Sequence, residues 1–149
     1  MRITKKLVKT GNVLKDNLKR IKRAEKLCSL TGWFDDQGYH LQDPKQPTYP
    51  ELAQIHADGW GVTKRDFFSI AEFTHPLESN PEIQIAIQMF INGTEDARDL
   101  FMDLGEVQED IIRDILGDPT YLPVTQNPTP LVQTGDLKES ITTRVKRNV

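Results

Sequence analysis

The side chains of this sequence that could carry out chemistry are three histidines and one cysteine, and they are scattered along the chain. His40, His56 and His75 form no i, i+4 pair, and none of them stands in a cluster with Cys28. A zinc site needs about four ligands at suitable spacings, so we expect no metal site. We predict that His56, close to Asp58, is a hydrogen-bonded structural residue. Cys28 lies in an apolar run and is predicted to be an inert, buried thiol.

The short motifs that mark common enzyme classes do not occur in the sequence. It contains neither a Gly-x-Ser-x-Gly elbow nor a glycine-rich phosphate-binding loop. The adjacent carboxylates Asp35 and Asp36 stand in a turn before Gly38, where we expect them to face solvent. We therefore predict that the protein is not an enzyme and has no catalytic residues and no cofactor. A small hydrolase built around His56 and Asp58 is the least favoured of three functional hypotheses.

The composition favours one domain that could be completed by its neighbours. The 149 residues can form a domain with its own hydrophobic core. Hydrophobic residues make up only 37% of the chain and the mean hydropathy is −0.52, which suits extended arms or an assembling subunit. One cysteine excludes an internal disulfide framework. No apolar run approaches the roughly 20 residues of a membrane-spanning helix, and the basic N-terminus lacks the apolar segment of a secretory signal.

The net charge of −3 conceals a strong segregation of charge along the chain. Residues 2–26 carry ten Lys or Arg and two acidic residues, a balance of +8. Residues 27–137 have a balance of −14, and residues 138–149 a balance of +3. We therefore divide the single domain 1–149 into a basic N-terminal arm (1–26), an acidic body (27–137) and a basic C-terminal strand or tail (138–149). These opposite charges could pair within one molecule, and they could equally pair between neighbouring subunits, where their fields would guide one subunit onto the next.

Residues 13–26 are predicted to form an amphipathic helix with Asn12 as its N-cap. Four basic side chains on this helix are candidates for contacts with a partner: Lys15, Lys19, Lys22 and Arg23. Three interpretations stay open: a solvated face, which is the commonest role of such a charge run, a contact to the acidic surface of a neighbouring subunit, and a contact to DNA phosphates. The pI of about 5.6 is far from that of typical DNA-binding domains.

The pattern of apolar residues predicts an α+β fold, in which a small, mostly antiparallel sheet is packed by the long N-terminal helix and two central helices. Strands are expected near residues 27–34, 66–73, 131–134 and 140–146. A short helix is expected to begin at Pro50. The two central helices should run from Pro81 to Ile91, apolar nearly all round and therefore buried, and from a Thr94 cap to Gly117. Two long proline-rich loops, 39–50 and 118–130, complete the fold.

Two further groups of charged residues are candidates for a subunit or partner interface. The first is a row of carboxylates on the second central helix: Glu106, Glu109, Asp110 and Asp114. The second is Lys64 with Arg65, which adjoin aromatic residues. Aromatic side chains between basic ones can stack on single-stranded nucleic acid. However, the nearby aromatic residues lie in apolar runs and are predicted to belong to the core: Trp33, Phe34, Phe67 and Phe68.

Two blocks of the sequence resemble a known protein family. The C-terminal block has an apolar pair, a Thr-Gly turn and a further apolar spacing, at Leu131, Val132, Thr134, Gly135, Leu137, Ser140 and Ile141. The earlier block runs through Trp33, Phe34, Ile55, His56, Gly59, Lys64 and Arg65 to Phe67 and Phe68. Together they resemble the neck and tail-completion proteins of tailed phages, including the virion morphogenesis and head–tail joining proteins. The prolines that the family commonly places beside the basic–aromatic run do not occur at this point of the sequence.

The resemblance implies a structural virion protein that is made in the cytoplasm of the host bacterium and located at the interface of phage head and tail. It implies the same kind of fold and a homo-oligomeric ring that completes the tail or joins it to the head. The implied partners are portal-side connector or head-completion proteins and tail terminator or tail tube proteins. Genomic DNA would pass through the lumen of such a ring, and no membrane is involved. The alternative function is a nucleic-acid-binding accessory protein that uses the basic N-terminal helix.

Overall fold

The computed structural model describes residues 2–62, 64–118, 120–121 and 136–148, with side chains from residue 13 onward. In these residues the chain has the predicted α+β fold, with six α-helices and a two-stranded antiparallel sheet. The elements are α1 (Arg2–Ala24), β1 (Leu27–Gly32), α2 (Tyr49–Asp58), α3 (Phe67–Thr74), α4 (Pro81–Asn92), α5 (Ala97–Gly117), α6 (Asp136–Ser140) and β2 (Thr142–Arg147). None of the described helices is both long enough and apolar enough to cross a membrane.

The sheet joins the strand that follows α1 to the strand near the C-terminus. β1 and β2 are antiparallel, with a register that runs from Leu27 opposite Arg147 to Gly32 opposite Thr142. The strands expected near 27–34 and 140–146 are confirmed, although the helical turn α6 replaces the start of the second. The strand expected at 131–134 lies outside the described residues.

The strand expected at residues 66–73 is wrong, because this segment forms helix α3. The Asp66 carboxylate caps the helix by accepting a hydrogen bond from the Ser69 amide at 3.2 Å. Phe67 and Ala71 are buried four residues apart, as one helical face requires, whereas Phe73 is 89% exposed. A short, nearly continuous apolar run fits either element, and only the packing against α5 decides between them.

Two predicted helix starts are also wrong. Helix α1 begins at Arg2 and passes through Gly11 and Asn12, so Asn12 is not its N-cap. One internal glycine costs a helix only about 1 kcal/mol, which is too little to end it when helix-forming residues continue on both sides. Helix α5 is capped by Asp96 rather than Thr94, because the Asp96 carboxylate accepts the amides of residues 98 and 99 at 2.7 and 3.0 Å.

The first central helix, α4, has its expected bounds but is not buried all round. Asn80 caps it, Pro81 starts it, and Gly93 in the left-handed conformation ends it. Its buried residues are Ile83, Ala86 and Phe90, whereas four large apolar side chains are 40–60% exposed: Ile85, Ile87, Met89 and Ile91. The reason is that α4 packs mainly on α5, so the other side of α4 has no neighbour among the described residues.

Helix α5 organises the core because it contributes to both hydrophobic clusters. Its Ile112, Ile115 and Leu116 are fully buried in the larger cluster, together with Ala53, Phe67, Ala71, Leu137 and Ile141. Its N-terminal half supplies Ala97 and Leu100 to the smaller cluster, against which Ala24 and Leu27 pack. The loop 39–50 is ordered by a bridge between Tyr39 and Thr48. The loop expected at 118–130 lies outside the described residues beyond position 121.

The sheet touches α5 at Gly105, which has no room for a larger residue. A Cβ atom at this position would lie 2.1 Å from the Thr143 Cγ2 atom and 2.4 Å from the Ser29 Oγ atom. The Gly105 carbonyl accepts a hydrogen bond from the Thr31 hydroxyl at 3.1 Å, and this hydroxyl lies 3.0 Å from that of Thr143. Both strands are therefore fixed to one backbone position of the helix.

Gly105→Ala is expected to lower the free energy of unfolding by about 1–3 kcal/mol, because the new methyl group overpacks the contact between helix and sheet. Urea denaturation of the two proteins measures the difference. Gly117→Ala, in the same helix, is the matched control, because its methyl group would meet only the mobile end of Lys138. The control should be neutral or slightly stabilising, and equal losses in both variants would contradict the role of Gly105.

Candidate interaction surfaces

The outer side of α1 presents an apolar stripe with basic residues beside it. Leu14, Leu18 and Ile21 follow one another at spacings of four and three, and all are about half exposed, as is Val13. The four basic residues predicted as partner contacts are also exposed: Lys15, Lys19, Lys22 and Arg23. We call these eight residues the basic stripe. No described residue covers them, so this helix offers both charge and apolar area to a partner.

The opposite side of α1 is held on the body by Arg20. Its guanidinium stacks over the Phe90 ring at 4.8 Å and donates a hydrogen bond to the Glu95 carbonyl at 3.0 Å. A Cβ atom at Gly93 would come within 3.0 Å of this guanidinium, so a glycine at the end of α4 leaves space for it. These contacts join α1 to α4 and to the turn before α5; Arg23 lines a pocket at the same junction with Asp96, whereas Leu14, Leu18 and Ile21 stay exposed.

The carboxylates predicted on α5 divide into two groups. Glu109 is half-buried and forms an ion pair with Arg113, and Asp110 lies 3.1 Å from the same guanidinium. Arg113 also donates a hydrogen bond to the Ile141 carbonyl at 3.2 Å. Glu106 and Asp114 are exposed. Glu109 is therefore part of the joint between α5 and β2, Asp110 is an exposed partner of the same arginine, and Glu106 and Asp114 are available at the surface.

An acidic groove of about 180 Å³ lies between α4 and α5. Four of its lining residues are carboxylates, Glu82, Asp103, Glu106 and Asp110, and the other two are Ile83 and Val107. Helix α4, which supplies Glu82 and Ile83 to the groove, also carries four exposed apolar residues on its remaining sides: Ile85, Ile87, Met89 and Ile91. We call the four carboxylates and these four apolar residues the acidic face. Like the basic stripe, the acidic face combines exposed apolar residues with charged ones, but its charge is negative.

Of the candidate pair Lys64 and Arg65, only Lys64 lies at the surface. Its ammonium group is 4.0 Å from the Asp66 carboxylate. Arg65 is only 7% exposed and therefore offers little surface to a partner. Its backbone amide donates to the His56 carbonyl at 2.8 Å, and its guanidinium lies 3.4 Å from the His56 Nδ1 atom. The tight turn at Gly59, with φ of 80°, brings these residues together.

The surroundings of His56 keep its imidazole neutral. Burial, and to a lesser degree the positive charge of Arg65, lower the pKa of His56 to about 4. A general base works best when its pKa lies near the operating pH, so His56 is a weak base at neutral pH. This geometry disfavours the hydrolase hypothesis and agrees with a structural role for His56.

The two sequence blocks that resemble phage neck proteins meet in the fold at Trp33. The Trp33 indole N–H donates to the Leu137 carbonyl at 2.9 Å and to the Ser140 hydroxyl at 3.1 Å. Its ring packs edge-on against Phe67 and Phe68 at 5.5 and 6.0 Å. Phe67 is buried as predicted, whereas Phe68, which was also predicted to belong to the core, is 39% exposed; Leu137 and Ile141 of the C-terminal block are buried as well. Thr134 and Gly135 lie outside the described residues.

On the outer face of the sheet, Phe34 forms an aromatic–cation pair, although it was predicted to belong to the core. Phe34 is only half-buried, and the Arg144 guanidinium stacks on its ring at 3.9 Å. Arg144 also contacts the exposed Asp36 carboxylate at 2.6 Å, and this hydrogen bond lowers the pKa of Asp36. Cys28, expected to be buried, is half-buried on the same face. Asp36 thus acts as a partner of Arg144 rather than as one of two paired carboxylates.

Three arginines connect parts of the fold that are distant in the sequence: Arg20, Arg113 and Arg144. No pattern in the sequence had identified them. Their partners lie far away in the sequence and include backbone carbonyls, which carry no sequence signal. The described part of the chain contains no group of three or more His, Cys, Asp or Glu residues placed to hold a metal ion. The basic stripe and the acidic face both combine exposed apolar residues with several charges of one sign.

Comparisons of this chain with models of protein families, with curated proteins and with solved structures gave no match.

The neutral state of His56 predicts a pH dependence of stability. In the unfolded chain the pKa of a histidine is near 6.5, whereas in the fold that of His56 is about 4. The unfolded state therefore binds more protons between these values, so the stabilising effect is complete above about pH 6.5 and is lost as the pH falls toward 4. We expect a loss of about 1–2 kcal/mol, reduced from the full value because His56 is only partly buried and solvent screens its charge.

Urea denaturation at pH 7 and at pH 4.5 measures this loss, with His56→Asn as the comparison. Asparagine offers the Arg65 guanidinium an acceptor near the position of Nδ1 but does not titrate. The carboxylates contribute equally to both proteins, so the variant should lose less stability on acidification. An identical pH dependence in both proteins would rule out the depressed pKa.

Proposed function

We propose that this chain is a structural, non-enzymatic subunit of the neck of a tailed phage, which assembles with copies of itself to complete the tail or to join head and tail. The observation that carries the proposal is the presence on one chain of two uncovered apolar surfaces of opposite charge. Uncovered apolar patches with polar borders mark interaction sites in soluble proteins.

The basic stripe and the acidic face are complementary in both of their components. The stripe brings three leucine or isoleucine side chains with four cations, and the face brings Ile and Met side chains with four carboxylates. Burial of the apolar side chains would supply most of the affinity. The charges would guide the approach and disfavour contacts of stripe with stripe or face with face.

A contact between two different surfaces of the same chain leads to head-to-tail assembly. After binding one neighbour each copy keeps either its stripe or its face free, and the growing assembly has one of each at its ends, so addition continues until the rotation between subunits closes a ring. A ring or collar is the assembly that the resemblance to phage neck proteins implies. The meeting of the two resembling sequence blocks at Trp33 adds support, because it makes them parts of one structural unit.

The alternative function, nucleic-acid binding, uses the same basic helix. Exposed Lys15, Lys19, Lys22 and Arg23 could contact phosphates, and such binding would fall steeply with salt. It would not involve the carboxylates of the acidic face. Assembly requires both surfaces, so variants of the acidic face distinguish the two functions.

A charge-swap experiment tests the assembly. One variant carries Lys15→Glu, Lys19→Glu, Lys22→Glu and Arg23→Glu, and the other carries Glu82→Lys, Glu106→Lys and Asp110→Lys. The wild-type chain should self-associate in sedimentation velocity runs, less strongly at 1 M salt, where charges are screened beyond about 3 Å. Each variant alone should stay monomeric at concentrations where the wild type assembles, since like charges then face each other.

Mixing the two variants should restore association, because each supplies the charge that the other lacks. Restored association would also show that both variants are correctly folded. A wild-type chain that remains monomeric at all concentrations would contradict the proposal. DNA binding that is lost in the first variant and unchanged in the second, without self-association of the wild type, would favour the alternative function.

The location in a virion has its own test. In cells infected by the phage that encodes this chain, deletion of its gene should leave filled heads beside free tails, visible by negative-stain electron microscopy. Complementation with the wild-type gene should restore joined particles, and the stripe variant should not. Intact tailed particles in the deletion strain would exclude a neck function.

A further inference from the structure

Among the residues that the structure describes, no strand pairs with the outer edge of β1 or of β2. The Asn148 amide donates to the Lys26 carbonyl at 2.7 Å, so these two opposed residues form a hydrogen-bonded pair. In an antiparallel sheet hydrogen-bonded and non-hydrogen-bonded pairs alternate. With the observed register, the pairs that bond across the sheet are therefore Cys28 with Lys146, Leu30 with Arg144, and Gly32 with Thr142.

The intervening residues direct their backbone groups outward, away from the partner strand. On β1 these residues are Leu27, Ser29 and Thr31, and on β2 they are Thr143, Val145 and Arg147. Across the described residues, none of their N–H or C=O groups makes a backbone hydrogen bond. Open edges of this kind are templates for the addition of another strand, and a sheet of only two strands gains most from it.

The two open edges differ in charge. Strand β1 contains no charged residue and no proline, whereas β2 carries Arg144, Lys146 and Arg147 within six residues. Charged side chains on an edge strand oppose its pairing with an identical strand, because like charges would stand opposite each other. Pairing of β2 with β2 of another copy is therefore unfavourable, and the uncharged β1 edge is the one that can accept a strand.

We propose that β2 of one copy adds in antiparallel orientation to the open edge of β1 of the next copy. The partner follows from the chain itself, since β1 already pairs with β2 within the molecule, where Leu30 and Cys28 stand opposite Arg144 and Lys146. The same two strands, each with one edge still open, can repeat this pairing between copies. The inference rests on the proposed function, because it takes a second copy as the partner.

This pairing deepens the proposed assembly. It uses one β1 edge and one β2 edge of every copy, so a closed ring would contain a continuous sheet without open edges. Pairing of β1 with β1 would instead stop at a dimer and leave both basic edges open. Helix α1 leads into β1 through a short turn, and Asn148 of the C-terminal segment is bonded to that turn. The basic stripe and the two edges are thereby held in a fixed relation.

Backbone amide hydrogen exchange tests the proposal on the full-length chain, in dilute monomeric and concentrated assembled samples. The outward amides should exchange at least about 100-fold more slowly after assembly: Leu27, Ser29, Thr31, Thr143, Val145 and Arg147. The inward amides of Cys28, Leu30, Arg144 and Lys146 are the internal control, because the intramolecular ladder protects them in both samples.

Three other outcomes would overturn the proposal, and each has a different meaning. Protection of the β1 amides alone would mean that β1 pairs with β1. Assembly without protection of either edge would overturn the shared sheet and leave the proposed function standing. A chain that is monomeric in both samples would overturn the proposed function and the shared sheet together.

A proline substitution provides a second test. Val145→Pro removes an outward N–H, and proline is tolerated on edge strands where that group is not used in the ladder. It should weaken association at least about tenfold, since it also leaves an acceptor on the next copy unpaired. Val145→Thr keeps the N–H and is the matched control. Equal association of the two variants would contradict the proposal, and the exchange experiment decides the matter if Val145→Pro does not fold.

Discussion

The contact of the sheet with Gly105 of α5 is the constraint on which the rest of the fold depends. A two-stranded sheet has too little buried area to be stable by itself, and here its inner face is supported by α5. The absence of a side chain at Gly105 lets Ser29, Thr31 and Thr143 approach the helix backbone. Since α5 also supplies buried residues to both hydrophobic clusters, the position of every other described helix is set relative to this contact.

Local signals in the sequence predicted the bounds of α2 and α4, misplaced the starts of α1 and α5, and could not decide the segment where only the apolar pattern was available. Pro81, Gly93 and the Thr-Tyr-Pro start of α2 act through the nearest few residues, so the bounds of α2 and α4 could be predicted. The run from Phe67 to Phe73 fits a strand or a helix equally well, and its packing on α5 decides the outcome. The exposure of one side of α4 could not be predicted, because periodicity describes a helix without its neighbours.

The charged surfaces, too, could be predicted only in part from the sequence. The basic character of α1 and the acidic character of α5 are properties of single segments and were visible in the sequence. Whether a given charge is available depends on tertiary contacts, so neither the burial of Arg65 nor the pairing of Glu109 with Arg113 could be foreseen. Arg20, which sets the direction in which α1 presents its stripe, binds a backbone carbonyl and an aromatic ring, and neither partner leaves a recognisable spacing in the sequence.

The two kinds of open surface on this chain would contribute to assembly in different ways. Contacts between the basic stripe and the acidic face act over distance but fix geometry poorly, because long charged side chains adapt to many arrangements and are screened by salt. Backbone hydrogen bonds between strand edges are short and directional, and a shift by one residue would turn the wrong face of a strand toward α5. In the proposed assembly, the charged contacts of the helix would therefore form first, and pairing of the strand edges would then fix the register. The junction of α1 with β1, clamped by Asn148, is the element that would convert the first contact into the second.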